Sequence, residues 1–372
     1  MKRALHVSAN QYPELAKHHF TKKIWIELAK GFDEYHILAR SESNRFESFN
    51  EGNLHLHLVP ALGKRDRSYV LSSFYMLILI KRHKITHILA QSALFGGVTA
   101  ALASRMFRIP LMTEIHGDIY FRIIESEGSS LLNRILSKAI LFVYNSSVVV
   151  RSLSSAMTRQ LRNIGVENVV EIPNRVDLAL FNRTRQYSAL NNPVKIISIG
   201  RFVEQKGFTI AIEAIKRLSQ RTPVHLTLVG GGRLYDTLNE EAKGSSSIRL
   251  ISWVKQEDLV ELMVQSDIYI QPSIPGLGEA MPRTILEAMA VKLPVIASNI
   301  AAIPGVIRHE ENGLLIDAGS ASELEKAIVK LINDQSLRHR ISENAYNDVV
   351  HKYSWTRVFE NYRSTFAGMA RR

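Results

Sequence analysis

Two glutamates, Glu279 and Glu287, stand with seven residues between them in the run Gln271-Pro-Ser-Ile-Pro-Gly-Leu-Gly-Glu279-Ala-Met-Pro-Arg-Thr-Ile-Leu-Glu287. The apolar residues before this run read as a strand and those after it as a helix, so it links a strand end to a helix start. Pro282 suits the first turn, where its missing N–H costs nothing, and the helix is expected to open around Met281 to Arg283. The backbone from Ala280 through Met281, Pro282 and Arg283 to Thr284 then faces whatever lies at the helix mouth. Its unpaired N–H groups and the helix dipole both favour a phosphate there, with Glu279 in the loop beside it. Glu287 falls in the second turn, where a carboxylate can accept two hydrogen bonds from a vicinal diol such as a ribose. Phosphate and ribose together mean a nucleotide. Capping and dipole compensation also put glutamates near helix starts, so the pair by itself leaves both readings open.

Three further clusters sit at strand ends. In Ser198-Ile-Gly-Arg201-Phe-Val-Glu-Gln-Lys206-Gly207, Arg201 can grip phosphate oxygens in a fork and Lys206 can add a point charge, which suits a departing nucleoside diphosphate. Solvated turn cations give the same letters. Leu228-Val-Gly-Gly-Gly232, with Gly230 at its centre, has the glycines of a tight strand-to-helix turn where backbone approaches a ligand or merely bends sharply. His116-Gly117-Asp118 ends another strand, and the imidazole is either a group facing the substrate or part of a cap.

These residues need strands to place them. Short apolar runs alternate with helical patterns almost throughout, the rhythm of parallel sheets built from strand-helix-strand units, hence an α/β fold. Strands are expected from Arg3 to Ala9, Tyr35 to Arg40, Leu54 to Pro60, Thr86 to Ala90, Pro110 to Ile115, Ser147 to Arg151 and Val169 to Pro173. After an Asn- and Arg-rich connection from Pro173 to Pro193 the rhythm restarts. The second set runs Lys195 to Gly200, His225 to Gly230, Ile248 to Ser252, Ile268 to Pro272, Pro294 to Ala297 and Leu314 to Ile316. At 372 residues, two doubly wound, Rossmann-like domains are expected, 1–175 and 193–350, facing a cleft.

The chain has no cysteine, which removes disulfides, thiolate metal sites and a Cys nucleophile. Met1 to Ala9 reads as a first strand and not a signal peptide, and no apolar run reaches the ~20 residues a spanning helix needs. A formal charge of +12 calls for an anionic partner. Nucleic acid is disfavoured, because no zinc-finger spacing, aromatic RNA-binding signature or continuous basic helix occurs. Lys64-Arg-Asp-Arg67 and Lys81-Arg-His-Lys84 flank an apolar, aromatic stretch, the pattern of an interfacial helix on a membrane face and equally of a buried helix with solvated ends. No Asp-x-Asp pair, Walker loop or Gly-x-Ser-x-Gly elbow is present.

Taken in order, Ile172-Pro-Asn174 with Val176-Asp177, Gly200-Arg201 with Lys206-Gly207, Leu228 to Gly232, and Glu279 with Glu287 resemble the large family of retaining glycosyltransferases of the GT-B fold (group 1, family 4 type) that build bacterial envelope polysaccharides. The resemblance covers nearly the whole chain. It implies a nucleotide-sugar donor, UDP-sugars before GDP-sugars, no metal and no other cofactor. It further implies that Arg201 and Lys206 contact the diphosphate, that the amides after Glu279 hold the distal phosphate, and that Glu287 holds the ribose. Glu279 and His116 would line the sugar pocket, and the backbone near Trp253 and Val254 would meet the base. The Tyr353-Ser-Trp355 segment looks like the start of the family's last helix, 354–372, returning to the first domain. The chain departs from the pattern in lacking a glycine pair in Asn10 to Lys17 and in carrying Arg175 where glycine is usual.

The reading is a cytoplasmic hexosyltransferase, peripheral on the inner membrane face, acting on a saccharide or lipid-linked acceptor in polysaccharide or lipopolysaccharide synthesis. A nucleotide-sugar epimerase of the same fold, a glycosidase using the paired carboxylates, and a non-catalytic sugar-nucleotide binder are the alternatives.

Overall fold

A computed structural model describes residues 1–12, 19–61, 65–115, 123, 130–183, 189–275 and 281–370. Contacts divide the chain into one unit of Met1–Leu153, Met157–Ile172 and Phe359–Arg372, and a second of Ser154–Ala156 and Pro173–Val358.

The first unit runs β1 (Arg3–Tyr12), α1 (His19–Ala29), β2 (Glu34–Ser41), β3 (Glu47–Glu51), β4 (Leu54–Pro60), α2 (Arg65–Arg82), β5 (His87–Ala90), α3 (Gly97–Phe107), β6 (Leu111–Glu114), α4 (Leu131–Ser146), β7 (Val149–Ser152), α5 (Ser155–Asn163) and β8 (Val169–Glu171). Its strands lie in the order β3-β4-β2-β1-β5-β6-β7-β8. Every pairing is parallel except β3 with β4. The central strands are continuous apolar runs because helices cover both faces. β3 was not anticipated: Glu-Ser-Phe-Asn-Glu carries no apolar alternation and is a half-exposed edge strand held by β4 alone. β1 also continues past the expected end at Ala9 to Tyr12, with a register shift between Val7 and Gln11.

The second unit runs β9 (Val194–Ile199), a 3-10 turn (Glu204–Lys206), α6 (Phe208–Leu218), β10 (Val224–Val229), α7 (Tyr235–Ala242), β11 (Ile248–Ile251), α8 (Gln256–Val264), β12 (Ile268–Gln271), α9 (Arg283–Ala290), β13 (Val295–Ser298), β14 (Leu314–Ile316), α10 (Ala321–Asn333) and α11 (Gln335–Asp348). The order β11-β10-β9-β12-β13-β14 is the doubly wound pattern in which strand order reverses between the first and fourth strands, here β9 and β12. Ile196, Leu226, Leu228, Ile270 and Ile296 from the sheet pack with Phe208, Ile212 and Ile215 of α6 and Leu324 and Ile328 of α10 into its core.

The last helix, α12 (Trp355–Ala367), is shared between the units. In the second, Trp355 N–H donates to Val176 O (2.9 Å), and the Arg175 guanidinium lies 5.5 Å from the Trp355 ring centroid, a cation–π contact that glycine there would lack. In the first, Phe366 packs on Phe32 and the Tyr362 hydroxyl donates to Glu114 Oε1 (2.9 Å). That carboxylate also pairs with Arg151, whose Nε donates to Ile172 O, so the buried ion pair is fully hydrogen-bonded. The first unit ends at Ile172, three residues before the expected boundary at 175, and it resumes at Phe359 and not at 354.

Candidate functional site

Bound molecules in doubly wound sheets sit beyond the carboxyl ends of the strands where the order reverses, and in the second unit that is the end of β9 and β12. β9 leads into Gly200 and Arg201. The chain then makes its 3-10 turn, and Gly207, at φ +63°, redirects it into α6. A Cβ at Gly207 would stand 1.9 Å from Pro272 O, so the turn sits directly on the end of β12. Ile274 N–H donates to Gln205 O (3.1 Å), tying the same turn to the segment that follows β12. The Lys206 stem passes over Gly200, where an added Cβ would lie 3.5 Å from Lys206 Cε. Arg201 is exposed, and among the described residues no carboxylate pairs with its guanidinium.

The glycines after β10 close the neighbouring strand end. A Cβ on Gly230 would meet Gly200 O at 1.9 Å and one on Gly232 would meet Phe202 O at 2.6 Å, so backbone packs against backbone where a side chain has no room. Phe202 N–H donates to Gly231 O (2.8 Å) and fixes that approach. Beside it Trp253 is 58% exposed, with its indole edge against Gly231. Val254 is half-buried next to it.

α9 opens at Arg283, with Pro282 as the residue before its first turn and not within it. A buried polar set anchors this end: Tyr269 O–H donates to Gln271 Oε1 (2.7 Å), its oxygen lies 2.7 Å from Thr284 Oγ1, and Gln271 Nε2 donates to Ser273 Oγ (2.8 Å). The strand end and the helix start are thereby one hydrogen-bonded piece. Asn174 holds it from the connection, donating from Nδ2 to Met281 O (2.8 Å) and from its backbone N–H to Met281 Sδ (3.3 Å). Sequence reasoning placed Asn174 in the connection and counted its motif toward the family resemblance without giving the side chain a partner; the asparagine clamps Met281, just ahead of the helix start.

Glu287 is half-buried on the second turn of α9. Desolvation pushes its carboxyl above the usual range, opposed by the nearby Arg283 charge. Among the described residues its carboxylate accepts no hydrogen bond. A helix-cap glutamate would be solvated or bonded to N–H groups, whereas this one is partly stripped of water and, among the described residues, has no hydrogen-bond donor. The unit therefore brings Arg201, Lys206, Gly230, Met281, Pro282, Arg283, Thr284 and Glu287 to the carboxyl edge of one sheet or onto the helix that leaves it. His116, Glu279 and Ala280 lie outside the described residues.

Residues 181–348 match the family described as "Glycosyl transferases group 1", and residues 25–180 match "Glycosyltransferase Family 4". The lipopolysaccharide core biosynthesis glycosyltransferase LpsE of Rhizobium meliloti is 32% identical over 46% of this chain and 49% of its own length. The amylovoran biosynthesis glycosyltransferase AmsK of Erwinia amylovora is 30% identical over 63% of this chain and 59% of its own. The matched stretches thus span about half to three-fifths of these relatives. Sucrose-phosphate synthase from Thermosynechococcus elongatus superimposes over 99% of this chain and 100% of that one with a TM-score of 0.78 at 17% identity. HepE of Anabaena, solved with UDP, does so over 99% and 100% with a TM-score of 0.75 at 20% identity. At these identities the superpositions speak to the fold, which is that of the GT-B enzymes.

Proposed function

The chain belongs to the group 1 glycosyltransferases, and from that premise we propose that it moves a hexosyl residue from a nucleotide-diphosphate sugar to a saccharide or lipid-linked saccharide in cell-surface polysaccharide synthesis. The observation that carries this reading is Glu287, a desolvated carboxylate without a hydrogen-bond donor among the described residues, on a helix anchored beside two cations at the reversal point of a doubly wound sheet. Such a carboxylate is matched by the two hydroxyls of a ribose. Arg201 and Lys206 would take the diphosphate, and the backbone around Met281, Arg283 and Thr284 its distal phosphate.

In that arrangement the bond from the anomeric carbon to the diphosphate oxygen breaks, and the developing negative charge falls on Arg201 and Lys206. The acceptor hydroxyl oxygen bonds to the anomeric carbon from the face the diphosphate leaves and gives its proton to the departing diphosphate oxygen, so configuration is retained. Fixed cations supply the leaving-group stabilisation, and no divalent metal is needed at this site. Glu279 and His116 are assigned to the transferred sugar on the family resemblance. UDP-sugars are the first donors to test, as HepE was solved with UDP and UDP-glucose.

The acceptor side and the location rest on a surface of the first unit. Phe74 and Ile78 of α2, Leu102 and Met106 of α3, and Leu131, Leu132 and Ile135 of α4 are between 43% and 71% exposed. Neighbouring helices carry them, with Ser73 Oγ 2.6 Å from Thr99 Oγ1 between α2 and α3. Exposed Arg105, Arg108, Arg134 and Lys138 stand among them, and both Arg105 and Arg108 line a pocket with Asn145 and Ser146. Apolar side chains rimmed by arginines fit the interface of an anionic membrane. Among the described residues no helix is long and apolar enough to cross one.

The test is calorimetric titration with UDP- and GDP-sugars, followed by turnover with lipid-linked and soluble acceptors and determination of the product anomer. One nucleotide class should bind, its sugar should be transferred with retention, and EDTA should leave the rate unchanged. Interconversion of the donor without acceptor would replace this reading by an epimerase, and binding without any turnover by a sugar-nucleotide sensor.

A further inference from the structure

A second cluster of chemically capable side chains lies in the first unit, apart from the residues assigned to the donor. Parallel pairing sets His36 of β2 opposite His55 of β4, and Leu38 opposite His57. Side chains two apart on a strand share a face, so Glu34 and His36 on one strand and His55 and His57 on the other all point the same way. The carboxyl end of α2 packs on that face and adds His83. His36 is thereby enclosed by three imidazoles, with ring centroids 4.7 Å away at His55, 5.3 Å at His57 and 4.2 Å at His83. His36 and His57 are buried, while His55, His83 and Glu34 are half-exposed and leave the cluster open on one side.

We propose that His36, His57 and His83 form a binding site for a divalent transition metal, with zinc as the best fit to three imidazole ligands and an open fourth position. One nitrogen from each of the three lies within 4.8 Å of the others. His36 Nδ1 and His57 Nε2 are 3.0 Å apart, close to the roughly 3.3 Å edge between two nitrogens each ~2.0–2.1 Å from one tetrahedral zinc. The ion would replace the proton these two nitrogens share.

The outer nitrogens are already provided for. His36 Nε2 is 3.2 Å from Glu34 Oε2, so with Nδ1 on the metal its N–H donates to a carboxylate, the usual outer partner of a metal-bound imidazole. His57 Nδ1 faces Ser48 Oγ at 3.5 Å from the edge strand β3. The His83 backbone N–H donates to Leu79 O (2.9 Å), but its imidazole makes no hydrogen bond among the described residues, so the ring can turn inward at little cost. A second grouping, Glu34 with His36 and His55, shares His36. It would take Glu34 from its partner role and has fewer imidazoles, so the three-histidine set is preferred. A bound ion would staple β2, β4 and the end of α2 together.

The test uses the full chain without a histidine tag, titrated with Zn²⁺ by calorimetry and with Co²⁺ by visible absorption, beside His83→Gln and His55→Gln. Both altered residues are half-exposed, so the variants should fold. The wild type should take one equivalent, show the absorption of tetrahedral cobalt and melt at a higher temperature with zinc. His83→Gln should weaken binding by tenfold or more, and His55→Gln should change it little. Absence of stoichiometric binding, or binding that His83→Gln leaves intact, overturns the proposal. A loss at His55→Gln equal to that at His83→Gln would also overturn the ligand set. None of these readouts depends on transferase activity.

Discussion

Replacing Glu287 by Gln should weaken donor binding and stabilise the free protein at the same time. The carboxylate is half-buried, receives no hydrogen bond among the described residues, and is pushed up in pKa by burial against the lowering effect of Arg283. Glutamine keeps the shape and one acceptor but turns an N–H₂ toward a hydroxyl that needs an oxygen. Hydrogen bonds to a charged group contribute about 1.5–3 kcal/mol, so affinity for the nucleotide should fall roughly tenfold to 150-fold. The stability effect has the opposite sign. Because the native carboxyl holds its proton more tightly than the unfolded one, stability falls as pH rises from the ordinary value of 4.5 through the raised native value. Above that window the wild type bears the full cost of a desolvated charge and the glutamine variant does not. Below pH 4.5 the two should be equally stable. Denaturant unfolding at several pH values gives one measurement and calorimetry with UDP the other. A 2′,3′-dideoxy nucleotide closes the cycle: it should lose affinity for the wild type and little for the variant. Unchanged donor affinity, or a stability gain of equal size at acid pH, would refute the argument.

Arg201→Ala and Lys206→Ala should each lower kcat on the order of 10²–10³-fold with a smaller change in KM, since the charge they meet develops as the diphosphate leaves. Arg201→Lys should restore little of it, because the fork is lost, and steady-state kinetics decides; an effect confined to KM would remove both from the transition state. Gly207→Ala should destabilise the second unit by about 3 kcal/mol or more, from its φ of +63° together with the Pro272 O 1.9 Å from the new Cβ. Gly244→Ala, at φ +78° with nothing within 4 Å, isolates the backbone part and should cost only ~1–2 kcal/mol; equal losses in denaturant unfolding would mean the close approach does not matter. Phe74→Asp with Leu131→Asp should lower binding to vesicles rich in anionic lipid by more than tenfold, since each buried apolar side chain is worth about 1.5–3 kcal/mol, and should leave turnover of a soluble acceptor unchanged. Vesicle binding unaffected by the pair, or insensitive to anionic lipid, would count against the membrane face.

The central strands were legible because burial on both faces writes them as unbroken apolar runs, as in Lys195-Ile-Ile-Ser-Ile or Ile268-Tyr-Ile-Gln. β3 was not, because an edge strand with one partner needs no such run. Within the second unit, the cations and glycines were readable from their position after strands, where a doubly wound sheet binds its ligands. The clamp that Asn174 makes was not legible because its partner, Met281, lies 107 residues away, and hydrogen bonds of that range leave no local pattern. The histidine cluster is the stronger case of the same limit. His36, His55, His57 and His83 follow no ligand spacing that a motif would catch, since they come from two strands and a helix end. What joins them is register: shifting β4 by one residue against β2 would send His55 and His57 to the opposite face, away from His36 and His83. Register in turn is set by which face of each strand is apolar. Leu54, Leu56 and Leu58 alternate with His55 and His57 along β4, and the leucines are buried. The core therefore selects the pairing, and the gathering of imidazoles on the other face follows from it.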